Sequence, residues 1–136
     1  MNNVKKLELS LFSLRLGVFV VMIMWTIDKF LNPGHAAAVF DRFYLISSLS
    51  VELAYGIGFI QLLVVLGFLF GIYKKWTYGA ILFMHAVSTF SSWEMYLDPW
   101  GPRNLLFFAA WPMLAAIFSL YMMRDQDNFL TLKKSN

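Results

Sequence analysis

Residues 14–34 read LRLGVFVVMIMWTIDKFLNPG, an apolar run with Arg15 near its start and Asp28-Lys29 ahead of Asn32-Pro33-Gly34 at its end. A charge held in hydrocarbon costs about 2.5–3.5 kcal/mol even on the lenient insertion scale, so these ionisable residues are not filler. Extended back to about residue 10, the run can cross roughly 30 Å of hydrocarbon at 1.5 Å per residue. It is read as the first of four membrane-spanning helices, stopped by Pro33-Gly34.

The composition agrees. Of 136 residues, 60% are hydrophobic and 14% charged, with a mean hydropathy of +0.63, against roughly a quarter charged in soluble domains. An integral membrane protein of one domain, residues 1–136, is expected. With no cysteine, structural disulfides, dithiol chemistry and thiolate metal sites are excluded. The net charge of +3 does not indicate nucleic acid, because the lysines fall at helix ends, where orientation in a bilayer explains them. Lys5-Lys6, an apolar run and then Ala36-Ala37-Ala38 imitate a signal peptide. Arg15 and Asp28-Lys29 interrupt that pattern and the alanines lie too far along, so the first helix is expected to be retained.

Outward from this stretch, residues 35–46 set Val39, Phe40, Phe43 and Tyr44 at helical spacing, a short amphipathic helix at the membrane surface. Ser50 is placed to cap a second span over about 51–73, which carries Glu52, Gln61 and a Gly67/Gly71 small-xxx-small pair for close helix packing. Lys74-Lys75 turns into a third span, about 76–97, with His85, Ser88 and Glu94. A Pro/Gly loop leads to a fourth, about 105–123, where Pro112 is expected to kink the helix, and residues 124–136 form a polar tail. Lys5, Lys6, Lys74, Lys75, Arg124, Lys133 and Lys134 then share one side, against Lys29, Arg42 and Arg103 on the other. The positive-inside rule predicts both termini in the cytoplasm.

The candidate chemistry lies in two layers. Glu52 and Gln61 are nine residues apart, as are His85 and Glu94, so in antiparallel helices the glutamates share one depth and Gln61 and His85 another, about 13 Å further in. Nine residues are about two and a half turns, which points each pair to opposite faces and argues against a single four-residue site. The outer layer is Asp28, Glu52 and Glu94 with His35; the inner is His85 with Gln61. His85 is read first as a buried histidine bonded to Gln61 or to a backbone carbonyl, and second as a contact for quinone, haem or metal; bis-histidine haem would need His35, which lies too shallow. The outer acids are read either as solvated helix ends paired with Lys29, Arg42 and Arg103 or as a cation or proton entry. Arg15 can snorkel, form an ion pair or meet an anionic headgroup. No metal-ligand spacing, nucleophile–base pair or phosphate loop is present, so no catalytic residue is assigned and activity of the chain alone is not expected.

Leu14-Arg15-Leu16-x-Val18-Phe19 and Ile27-Asp28-Lys29-Phe30-Leu31, within a four-span layout with an outer amphipathic segment, resemble the DoxX family; Gly101-Pro102-Arg103-Asn104 is a weaker echo. The resemblance covers the layout of the whole chain and is motif-level in the first helix, where Arg15, Asp28 and Lys29 are the residues that carry over. It implies an accessory subunit, in a bacterial or archaeal cytoplasmic membrane, of a larger respiratory or quinone-linked oxidoreductase. Its partners would be the bilayer and the larger subunits, with quinone the cofactor nearest to hand. The alternative is a small oligomeric proton or cation transporter using Glu52, Glu94 and His85.

Overall fold

The computed structural model describes residues 1–132, all of whose regular structure is helical: α1 (Asn3–Leu31), α2 (Pro33–Tyr44), α3 (Val51–Phe70), α4 (Lys74–Ser91), α5 (Trp93–Leu97) and α6 (Ala110–Met122), with a 3₁₀ segment Asn104–Ala109 leading into α6. Lys133 and Lys134, counted above for orientation, lie outside the described residues. Among the described residues, three helical stretches are long and apolar enough to cross a membrane: Asn3–Leu31, Val51–Phe70 and Asn104–Met122. The more polar α4, with Lys74, Lys75, His85 and its serines and threonines, is 18 residues long and packs beside them.

Local chemistry sets the boundaries. The Asn2 side chain accepts from the Lys5 amide at 2.9 Å, so α1 starts well before the expected residue 10. At its other end the Asn32 amide donates to the Asp28 carbonyl, and Pro33, which has no N–H to leave unbonded, opens α2. Ser50 accepts from the Leu53 amide at 3.2 Å and caps α3. That helix stops at Phe70 rather than residue 73, because Gly71 adopts the left-handed conformation (φ +65°) and its amide turns back to the Gly67 and Phe68 carbonyls.

The small-xxx-small pair is therefore divided between two jobs. A Cβ on Gly67 would lie 2.8 Å from Thr77 Cγ2, so this glycine admits α4. One on Gly71 would lie 2.6 Å from Thr131 Cγ2, so that glycine admits the chain's own tail rather than a helix.

The third helix differs from a span of 76–97. Thr89 and Ser92 turn their hydroxyls onto the His85 and Ser88 carbonyls, and the Tyr96 hydroxyl donates to the Thr89 carbonyl. Such side-chain bonds compete with the helical ladder, and α4 gives way at Ser92 to the short α5. Pro112, where a kink is expected, is the third residue of α6, just after the 3₁₀ segment.

Buried residues recur at three- and four-residue steps: Leu11, Arg15, Val18, Met22 and Thr26 on α1; Ala54, Gly58, Gln61, Val65 and Phe68 on α3; Lys74, Tyr78, Ile81, His85 and Thr89 on α4. This spacing puts each set on one helix face. The faces meet in a ring, α1 against α3, α3 against α4, α4 against α6 and α6 against α1, with Ile117 and Leu120 of α6 closing the core. The short α2 lies against α1, α3 and α4 at one end of the ring. At the other end residues 124–132 fold back as a strap, and the Leu132 amide donates to the Phe70 carbonyl at 2.8 Å.

Candidate functional site

The two ends of the ring carry different chemistry. At the strap end Arg15 is fully buried. Its Nη1 lies 3.1 Å from Oδ1 of Asp127, which is also fully buried, and its Nη2 donates to the Phe129 carbonyl at 2.6 Å. The Tyr78 hydroxyl donates to Asp127 Oδ2 at 2.7 Å and accepts from Arg15 Nη1 at 3.3 Å. Lys74, one turn before Tyr78 on α4, donates to the Arg124 carbonyl (3.1 Å), the Asp127 carbonyl (2.6 Å) and Asn128 Oδ1 (3.1 Å).

Two cations from two helices thus hold one strap, with Asp127 as the counter-ion. Of the three readings open for Arg15, the ion pair is the one observed. The ammonium of Lys74 uses its three donors on carbonyls just beyond the C-terminus of α6, where positive charge also suits the helix dipole. Sequence reasoning missed Lys74, Tyr78 and Asp127. The readable signal was the row Lys74, Tyr78, Ile81, His85, which keeps one face and therefore buries the lysine with the rest.

At the α2 end a cleft of about 850 Å³ opens between α1, α2, α3 and α4. Asp28, Lys29 and His35 line its mouth, while Gln61 and His85 lie deeper, with Ser88, Ser91 and Ser92 along the α4 wall. Asp28 accepts from Asn32 Nδ2 at 3.0 Å and is paired with His35 Nδ1 at 2.5 Å. Lys29 Nζ donates to the Trp25 carbonyl at 3.3 Å. The cleft therefore brings together five of the expected residues: Asp28, Lys29, His35, Gln61 and His85.

Glu52 and Glu94 are not among them. Glu52 is exposed in the first turn of α3, a position that suits a carboxylate near the helix N-terminus. Glu94 sits 3.5 Å from Arg42 with both side chains exposed, a pairing of small energetic weight.

The inner pair is close to the expected layer but bonded differently. His85, 1% exposed, donates from Nε2 to the Ala110 carbonyl at 2.9 Å and stacks on Trp25 with ring centroids 6.0 Å apart. A carbonyl only accepts, so Nε2 carries the hydrogen, and in the neutral ring Nδ1 presents a lone pair. That atom has no hydrogen-bond partner among the described residues. Gln61, 7% exposed, likewise makes no side-chain hydrogen bond among them.

A second cavity of about 560 Å³ lies along α1 and α6, lined by Gly17, Val18, Val21, Ala110 and Met113, and Trp25 and His85 belong to the walls of both. Among the described residues no three histidine or acidic side chains gather as a metal site. Comparison of the chain with protein-family models, with curated proteins and with solved structures finds no match.

Proposed function

We propose that the chain is a DoxX-like, four-span subunit of a larger respiratory or quinone-linked oxidoreductase in a bacterial or archaeal cytoplasmic membrane, with both termini on the cytoplasmic side. In this reading α4 is the fourth span. It completes the helical ring, and its ends meet the strap on one side and α2 on the other. Lys5, Lys6, Lys74, Lys75 and Arg124 gather at the strap end, as the positive-inside rule asks of a cytoplasmic face.

The observation that carries the functional reading is the cleft. It is largely apolar, and among the described residues His85 Nδ1 and the Gln61 amide on its walls have no hydrogen-bond partner and no metal set gathers there. Such a site suits binding an apolar molecule with a polar head and leaves reaction to a neighbouring chain. The α6 span supports docking, since only 11% of its apolar window is buried within the chain, against 33% for α3. The transporter alternative, built on Glu52, Glu94 and His85, gains no support from two exposed glutamates that line neither cavity.

Gentle detergent extraction from native membranes, native-gel separation and mass spectrometry of the band test the proposal. Co-migration with larger flavin- or haem-containing subunits is the expected result. A colourless band containing this chain alone, or only copies of it, would count against the subunit reading.

A further inference from the structure

We infer that the outer cleft binds an uncharged, ring-headed molecule whose head carries a carbonyl beside an N–H or O–H, paired at two points with the side-chain amide of Gln61. The inference rests on the reading of the cleft as a site for an apolar molecule with a polar head. Gln61 is 7% exposed, and its amide has no hydrogen-bond partner among the described residues. The amide is nevertheless open. The sealed polar side-chain atoms left without a hydrogen bond include His85 Nδ1 but neither amide atom of Gln61, so the glutamine keeps the accessible surface that the histidine nitrogen lacks. Of the two cavities, Gln61 lines only the outer cleft, whereas His85 borders both.

The chemistry of the amide sets the head. A primary amide presents a carbonyl acceptor beside an N–H donor. A ligand that only accepts would pair with Nε2 and leave Oε1 facing an apolar wall, where an unpaired polar group is costly. A carbonyl next to an N–H or O–H returns the same pattern and satisfies both atoms at once. The walls set the shape. Trp25, Phe40, Phe43, Tyr44, Phe83 and Phe107 all line the cleft, and aromatic side chains pack well against a flat ring. Its volume of about 850 Å³ suits a small molecule. The ionisable side chains of the cleft set the charge, because Asp28, Lys29 and His35 stay at the mouth and Asp28 and His35 pair with each other. Gln61 stands nine residues beyond Glu52, about 13 Å along α3, so an ion held against it would have no counter-charge.

The test is calorimetric titration of the purified full-length protein in lipid nanodiscs with three probes: a 2-quinolone lactam carrying a short alkyl chain, its N-methyl derivative, and a short-chain quinone, whose carbonyls only accept. The lactam should bind about tenfold more tightly than either of the others, the discrimination expected of one buried hydrogen bond. In Gln61→Met, a side chain of similar length, that advantage should disappear. The glutamine has no side-chain bond to the described residues to lose, so this variant should keep the unfolding midpoint of the unmodified chain.

Should that variant fail to fold, NMR of the unmodified protein gives the answer. Glutamine occurs only at positions 61 and 126, so ¹⁵N labelling of glutamine side chains yields two amides, and a Gln126→Ala sample tells them apart. The Gln61 amide should move as the lactam is added, and that of the exposed Gln126 should stay in place. Equal binding of the lactam and its N-methyl derivative, a quinone that binds as tightly as the lactam, an advantage that survives in folded Gln61→Met, or a Gln61 amide unmoved at saturation would overturn the inference. Binding of none of the probes would overturn it too, while the subunit reading would still be decided by co-migration.

Discussion

Asp127→Ala is expected to lower the stability of the folded chain by about 3–5 kcal/mol, the range for removing one partner of a buried ion pair. Arg15 would keep its charge in a site with no solvent exposure, and the Tyr78 hydroxyl would lose its acceptor. Most of the loss comes from the stranded guanidinium rather than from the worth of the pair, because desolvation offsets much of the attraction between buried charges. The Arg15→Met/Asp127→Leu double variant should therefore be more stable than Asp127→Ala alone. It should still fall short of the unmodified chain, since the Phe129 carbonyl loses its donor at 2.6 Å. Unfolding midpoints in a fixed detergent, followed by circular dichroism, check both statements. An Asp127→Ala midpoint unchanged from the unmodified chain would mean that the strap is not held as described.

Lys74→Met should cost about 2–4 kcal/mol, and Lys75→Met less than about 0.5 kcal/mol, though the two lysines are adjacent in sequence. Lys74 is 1% exposed and satisfies the Arg124 and Asp127 carbonyls together with Asn128 Oδ1. Methionine fills a similar volume but leaves two backbone carbonyls unpaired at roughly 1–3 kcal/mol each, while the Asn128 amide can turn to water. Lys75 is exposed and its ammonium lies 5.7 Å from the Trp76 ring, a contact of little weight in water. The same unfolding assay compares them. Equal losses would show that Lys74 acts only through the charge shared by both lysines and not through its bonds to the strap.

Some of this was legible in the residues. Asn32-Pro33 and Ser50 mark helix boundaries through chemistry confined to a few neighbouring residues, and a capping oxygen or a missing amide hydrogen acts within one turn. The nine-residue spacing separates faces on α3, where Glu52 is exposed and Gln61 buried; His85 and Glu94 differ in the same way, but the break at Ser92 puts them on different helices. The strap was not legible. Asp127 stands in a polar run, Arg124-Asp125-Gln126-Asp127-Asn128, and its composition reads as a solvated tail. Its burial depends on Arg15 and Lys74, which come from distant parts of the chain and meet only once the ring has closed. The break at Ser92 was hidden for a related reason, because a serine hydroxyl bonds as readily to water as to the carbonyl one turn back. His85 illustrates the limit within the site itself. Gln61 and a backbone carbonyl were both acceptable partners, and it is the packing of α6 against α4 that brings the Ala110 carbonyl to it.

The absence of cysteine makes the central claim, a ring of four crossing helices with the strap inside and the cleft outside, open to a direct measurement. Single substitutions Ala38→Cys, Asp98→Cys, Lys75→Cys and Gln126→Cys, all at exposed positions, can be reacted with a membrane-impermeant maleimide on intact cells and on permeabilised ones. Labelling is expected at 38 and 98 in intact cells, and at 75 and 126 only after permeabilisation. Labelling of 75 and 98 from the same side would contradict it, because α4 would then not cross and the strap and the cleft would share one face of the membrane.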